Sequence, residues 1–261
     1  MKRGICMHDL SAKTIALLLT FVSLPTFADE VHPLGAGELT GSASIVNKYI
    51  YRGGVENDDV ALQAGLEYAH PRGFLAGYWG STLDYDATDD SHHSGFEHDF
   101  YLGYGRKINA DWSYETKITS YVYQNGGSVY SEDRTEKRRT TGFDVSNSLN
   151  YKNLNLGLAV LLADVSYGNA GDVYLSAGYD YALPQDFTLK TSIGASIYND
   201  HGDDAVVQTV KQNVFSEARL GLTKALGNTG VELAFDYVWG GKNRMGESFD
   251  DQTVIGLNYS F

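Results

Sequence analysis

Asp250-Asp251-Gln252-Thr253-Val254-Ile255-Gly256-Leu257-Asn258-Tyr259-Ser260-Phe261 is the stretch whose reading decides the fold. Thr253, Ile255, Leu257, Tyr259 and Phe261 alternate with Gln252, Val254, Gly256, Asn258 and Ser260. A period of two describes a strand with one apolar and one polar face. It ends on an aromatic, with a second aromatic two places earlier on the same face. A soluble domain rarely places an exposed Phe at a chain end, because ends fray into water. In a closed barrel that spans a membrane, the apolar face meets lipid and such aromatics sit at the interface.

Working outward, about twelve segments of this kind follow Pro33, and almost none of the chain reads as helix. They cover 39–52, 60–69, 74–84, 96–107, 112–123, 141–151, 154–163, 173–183, 187–198, 214–225, 231–239 and 252–261. Val231, Leu233, Phe235, Tyr237 and Trp239, for example, oppose Glu232, Ala234, Asp236 and Val238. The faces of 74–84 stay ambiguous. Every second connection is short, as at His70-Pro71-Arg72-Gly73, Lys152-Asn153 and Pro184-Gln185-Asp186. The connections between them, 53–59, 85–95, 124–140, 164–172, 199–213 and 240–251, are mostly longer and polar. Short turns at one end and long loops at the other predict an all-β, antiparallel, up-and-down outer-membrane barrel of about twelve strands. Prolines agree: Pro71 and Pro184 fall in short turns, and none interrupts a strand. A soluble sandwich or lipocalin-like barrel would carry its apolar face inside.

The first 28 residues read as a cleaved secretory signal. Lys2, Arg3 and Lys13 are basic, Thr14 to Leu24 is apolar, and Thr26-Phe27-Ala28 offers small residues for cleavage after Ala28. Removing them takes away Lys2, Arg3, Lys13 and Asp9, leaving 17 basic against 32 acidic side chains, a net charge of −15. Residues 29–261 then form the barrel domain. Cys6, the only cysteine, leaves with the signal, so neither a disulfide nor a thiol nucleophile is expected. Strong acidity argues against a nucleic-acid partner.

The succession Tyr49-Ile50-Tyr51-Arg52-Gly53, Gln63-Ala64-Gly65-Leu66-Glu67-Tyr68, Gly73-Phe74-Leu75-Ala76-Gly77-Tyr78-Trp79-Gly80-Ser81 and Glu97-His98-Asp99-Phe100-Tyr101-Leu102-Gly103-Tyr104 resembles the TorF family of porin-like proteobacterial proteins. The likeness is densest over about 40–105; beyond that, strand rhythm and the final aromatic agree. It implies an outer-membrane, porin-like barrel and supplies neither a substrate nor catalytic residues. Tyr259-Ser260-Phe261 also resembles the C-terminal signal by which outer-membrane barrels engage the barrel-assembly machinery.

With the apolar face toward lipid, the opposite parity collects the ionisable residues. The acids are Glu67, Glu97, Asp99, Glu115, Asp144, Asp180, Glu217, Glu232 and Asp236; the bases are Lys48, Arg52, Lys117, Lys190 and Arg219. Charges facing hydrocarbon are expensive, so these fourteen are the expected pore lining. Some should pair across neighbouring strands: Glu97 and Asp99 with Glu115 and Lys117, and Glu217 and Arg219 with Glu232 and Asp236. Twelve strands lie between the side-chain-filled eight-stranded barrel and the open sixteen-stranded porin. Either a charged plug or a water-filled pore for ions and small polar solutes fits. Nine acids against five bases predict a mild cation preference. Tyr49, Tyr68, Tyr114, Tyr181, Tyr237 and Tyr259 fall on the apolar parity as an interfacial girdle. The acidic long loops suit a solvated rim or divalent bridging to lipopolysaccharide, and 124–140, with Lys137-Arg138-Arg139, suits a constriction or a mobile loop.

Two other classes could use the same loops. A surface-adhesion anchor would use the same long loops. A lipid hydrolase would use His92 and Ser94, two apart, as base and nucleophile. That pair sits in an acidic loop and is followed by Gly95 rather than Asn, so no catalytic residue, cofactor or metal is assigned.

Overall fold

The computed structural model describes residues 37–88, 93–131, 135–200 and 206–261. The expected signal, 1–28, and His92 lie outside the described residues. In chain order the strands begin with β1 (Glu38–Val46), β2 (Tyr49–Tyr51), β3 (Gly54–Asn57), β4 (Ala61–Ala69), β5 (Phe74–Leu83) and β6 (Gly95–Lys107). Next come β7 (Trp112–Tyr123), β8 (Ser128–Tyr130), β9 (Lys137–Arg139), β10 (Gly142–Tyr151) and β11 (Leu154–Leu161). The last are β12 (Val173–Leu183), β13 (Phe187–Ile197), β14 (Asn213–Ala225), β15 (Val231–Gly240) and β16 (Gln252–Ser260). The described residues contain no helix.

Twelve of these strands form one closed antiparallel barrel in the order β1-β16-β15-β14-β13-β12-β11-β10-β7-β6-β5-β4. The remaining four make two small hairpins, β2–β3 and β8–β9. Closure runs through β1, which pairs with β4 along one edge and with β16 along the other. Past the end of β16, Gly41 and Phe261 exchange backbone hydrogen bonds of 2.9 and 3.0 Å. The Phe261 ring lies over Gly41, where a Cβ would come within 2.2 Å of it. The terminal aromatic thus covers the seam between first and last strands.

The pleat gives each strand an outward and an inward set of side chains. Leu102 and Ile118, which stand opposite each other, are both exposed, Leu102 at 68%. Leu62, Leu66, Leu220, Phe235 and Ile255 are exposed in the same way. Glu97, Asp144 and Glu217 are buried. A water-soluble domain has the reverse distribution. The ambiguous strand is now assigned: Trp79 stands opposite Gly65 and Asp99, so Leu75, Gly77, Trp79, Ser81 and Leu83 face in.

Two expectations need correction. The segment 39–52 is not one strand. β1 stops at Val46, and Asn47 uses its side chain to finish the ladder, donating to the Thr253 carbonyl at 3.2 Å and accepting from Ile255 N at 2.6 Å. The chain then turns inward as the β2–β3 hairpin, so Lys48 and Arg52 belong to that hairpin segment rather than to the wall, and Tyr49 is not in an outer girdle. Its ring meets the inward Trp79 edge-on, with centroids 5.5 Å apart. The 124–140 connection is likewise not a loose loop: β8 and β9 pair in it, and Arg138 is buried, donating to the Gly168 carbonyl at 3.3 Å and to Asn169 Oδ1.

Inside, bulky rings lie over small residues. Gly77 faces Tyr101 across the β5–β6 ladder, and a Cβ on Gly77 would meet the Tyr101 ring at 2.2 Å. Tyr101 in turn donates to Glu67 Oε2 at 3.0 Å. Gly77→Val is expected to push the ring off its seat and away from Glu67, destabilising the barrel by about 1–3 kcal/mol. The checks are a lower urea midpoint and the loss of folded-form mobility on unheated gels.

Candidate functional site

The inward hairpin begins with local chemistry. Arg52 and Gly53 both hold positive φ, 50° and 88°, as a two-residue turn between β2 and β3 demands. Gly53 accepts this readily and also admits the Ser216 carbonyl, which a Cβ would approach to 2.4 Å. Arg52 is the less natural occupant, and its side chain is held by several contacts at the tip.

From that tip a polar network crosses the barrel. Arg52 Nη2 donates to Asp144 Oδ2 on β10 at 3.2 Å. The same carboxylate oxygen accepts from Tyr121 Oη on β7 at 2.8 Å, and Tyr51 Oη lies 3.4 Å from Tyr121 Oη. The Arg52 guanidinium sits 4.7 Å from the Tyr51 ring centre and 4.8 Å from that of Tyr174 on β12. Tyr174 Oη then donates to Glu217 Oε1 on β14 at 2.9 Å, and Arg219 Nη2 meets Glu217 Oε2 at 3.2 Å. The hairpin leaves the wall between β1 and β4, so contacts on β7, β10, β12 and β14 take it to the opposite wall.

At the hairpin's base, Lys48 pairs with Asp58 and Asn57 Nδ2 donates to the Thr82 carbonyl at 2.8 Å. Glu56, on β3, accepts from Tyr85 Oη at 2.9 Å. Burial raises the Glu56 carboxyl above its ordinary range; the Tyr85 hydroxyl opposes the shift and nearby Asp84 adds to it.

Below the hairpin the charged groups form separate clusters. Lys117 lies 3.4 Å from Glu67 and 2.8 Å from Glu115. Glu67 is on β4 and Lys117 on β7, with β5 and β6 between them in the wall, so they meet across the concave interior. Lys190 lies 3.7 Å from Glu232, and Asp180 stands opposite Lys190 in register. Asp236 is opposite Gly221, where its Oδ1 fills the space of the missing side chain.

Of the neighbouring-strand pairs expected from sequence, those of Glu97 and Asp99 with Glu115 and Lys117 are not formed, whereas Arg219 and Asp236 stand one diagonal step apart on β14 and β15 and interact electrostatically. Lys117 is opposite Gly103 and Glu115 opposite Gly105, whereas Glu97 is opposite Tyr123 and Asp99 opposite Tyr121. Antiparallel register separates the two groups by roughly 20 Å along the strands, at about 3.3 Å per residue. Glu217 is opposite Gly240 and Glu232 opposite Ala225, so those two are also at different levels. Lys117 pairs three strands away with Glu67 and on its own strand with Glu115, and Arg219 pairs on its own strand with Glu217.

Two cavities are lined by inward-facing charged residues. One, about 570 Å³, opens beside the Lys152-Asn153 turn and is lined by Asp180, Lys190, Arg219, Glu232 and Asp236. The other, about 520 Å³, lies among the long loops and is lined by Tyr51, Tyr121, Tyr123, Tyr167 and Tyr174, with Glu97, Asp144 and Arg244. Sequence reading missed this tyrosine wall because inward aromatics do not differ by parity from inward serines. Ser94 lies in the loop just ahead of β6.

The fold is similar to that of the KdgM porin, with a TM-score of 0.50 and 10% identity over 85% of this chain and 99% of that one. The KdgM porin in complex with disordered oligogalacturonate aligns at 0.49 and 9% identity, over 85% and 98% of the two chains. The outer membrane channel DcaP of Acinetobacter baumannii aligns at 0.42 and 12% identity, over 86% and 97%. No curated protein matches the chain in sequence. A family model described as a bacterial protein of unknown function (Gcw_chp) matches residues 30–257. Since that match spans nearly all of the barrel, the chain belongs to the Gcw_chp family.

Proposed function

We propose that the protein is an outer-membrane, porin-like channel for passive diffusion of ions and small polar solutes. The observation that carries this is the pairing of an apolar exterior with charged cavities inside, one of them lined by the inward hairpin. A wall that presents leucines outside and carboxylates inside suits a medium without water outside and a polar path within. In this reading residues 1–28 are removed on export, outer-membrane lipid and lipopolysaccharide surround the barrel, and Phe261 closes the strand that engages the assembly machinery. The TorF resemblance over 40–105 supports the same class of protein. The fourteen ionisable residues named from sequence serve as lining, with Arg52 and Lys48 contributed by the hairpin segment.

A plug is the second reading, favoured by the Arg52 network that crosses the barrel interior. Planar-bilayer recording separates the two. The wild-type barrel is expected to show steady ohmic openings, and replacing Tyr49–Asn57 by a short glycine linker is expected to raise single-channel conductance by about twofold or more, because pore width limits ion flux. A silent wild type with a conducting hairpin variant means a plug; silence in both rejects the channel.

The excess of lining acids predicts cation selectivity. Reversal potentials under a KCl gradient are expected on the cation side, with Glu97→Gln moving them toward zero. Clear anion selectivity rejects this preference.

Acidity should tighten the hairpin. The Glu56 carboxyl titrates above its ordinary value of 4.5, so its charge opposes seating of the hairpin once pH rises through the raised value. The stabilising neutral form is fully present below pH 4.5 and lost above the shifted titration. Conductance is expected to fall on acidification through that window, and Glu56→Gln is expected to flatten the response by fixing the neutral form.

A further inference from the structure

We propose that the tyrosine-lined cavity above the hairpin is a binding site for a neutral saccharide of one or two rings. Its volume, about 520 Å³, is within the range of small-molecule sites, roughly 300–1,000 Å³. The polar complement of the wall is unfinished in a specific way. Glu97 Oε2 and Asp144 Oδ1 are buried without a hydrogen-bond partner among the described residues, on residues only 5% and 3% exposed. Arg244 Nη1, on the long loop between β15 and β16, is unpartnered as well. All three residues line this one cavity. Two strong acceptors and one strong donor call for a ligand that both donates and accepts. Hydroxyl groups do both.

The aromatic surfaces narrow the choice further. Arg52 already occupies faces of Tyr51 and Tyr174, and Arg244 sits 4.5 Å from the ring centre of Tyr198. Those cation–π positions are therefore taken by the protein's own guanidinium groups. Tyr123 and Tyr167 meet edge to face, 6.0 Å apart, and Tyr167, in the loop between β11 and β12, is 45% exposed. A pyranose combines an apolar C–H face, suited to such rings, with edge hydroxyls of the kind that donate to carboxylates and accept from a guanidinium. An organic cation would meet the Arg244 donor and find the rings at Arg52 and Arg244 in use. An anionic ligand would meet Glu97, Asp144 and Glu56 in the same wall.

The site rests on the channel reading only for the route by which solute arrives, so binding and conduction are measured separately. Full-length refolded barrel in detergent would be titrated calorimetrically with glucose, galactose, mannose, maltose, sucrose and lactose, with galacturonate and choline as charged controls. At least one neutral sugar is expected to bind, with affinity weakened about tenfold by Glu97→Gln and by Tyr167→Leu. Tyr167 is at the surface, so its variant tests the site even where the buried Glu97 variant fails to fold. The proposal is overturned if no neutral sugar binds up to about 50 mM, if a charged control binds more tightly, or if the folded variants bind like wild type. Bilayer conductance of the same sample tells the failures apart: conduction without sugar binding sinks only this site, and binding without conduction sinks only the channel.

Discussion

Pairing of β1 with β16 as well as with β4 is the constraint from which the rest follows. A sheet with open edges exposes rows of unpaired N–H and C=O groups, which only water or another chain can satisfy. Once those edges are joined, each of the twelve wall strands has two neighbours and the surface outside needs no hydrogen-bonding solvent. Alternation then divides the side chains into two populations that cannot exchange. Leucines and phenylalanines are left on the convex side, and carboxylates, guanidinium groups and phenols crowd the axis. Side chains from strands that are not neighbours in the wall thereby come within reach, as Glu67 and Lys117 show at 3.4 Å.

The hairpin exploits this enclosure. Its two-residue turn places Arg52 among aromatic faces and opposite a buried carboxylate, where removing one partner leaves the other charge without compensation. Neither Tyr121 nor Asp144 is bonded to the hairpin alone: each also holds the other, so the tip docks on a wall that is already organised. The structure therefore divides labour between a regular cylinder and one irregular insertion, and the chemistry that distinguishes the two cavities comes mostly from the insertion and the long loops.

Most of the cylinder was legible in sequence because period-two alternation is a direct readout of which side of a sheet a residue faces. Strands such as Trp112–Tyr123 and Val173–Leu183 were found to the residue. The hairpin was not, and the reason is physical. Val46, Lys48, Ile50 and Arg52 continue the same alternation as β1, since β2 is itself extended; periodicity reports the backbone conformation and is blind to whether a segment lies in the wall or across the interior. Only Asn47, whose side chain replaces a ladder bond, and Gly53-Gly54 mark the departure. Charge partners were missed for a related reason. Parity places a residue on a face, while register decides its height, and register is a property of two strands at once. Glu97 and Lys117 share the inner face yet stand at different heights on the ladder.

The ladder irregularity between β13 and β14 has its own consequence. Between Gly194 and Ala195 the pairing skips one residue of β14, and Ser216 becomes an extra inward side chain, bonded to Ser196 Oγ at 2.8 Å. Below it Glu217 and Arg219 face in; above it the phase is reset, so that Phe215 faces out and Val214 in. The strand thus carries two independently phased halves joined at a serine hinge of parity. Deleting Ser216 would leave both halves facing as they do, because Glu217 and Phe215 already pair with successive residues of β13; drawing Ser216 into a regular ladder would instead invert the upper half alone and turn Phe215 toward the axis. Whether β14 sets that one residue aside as a bulge therefore decides which chemistry the upper end of the strand presents to the axis.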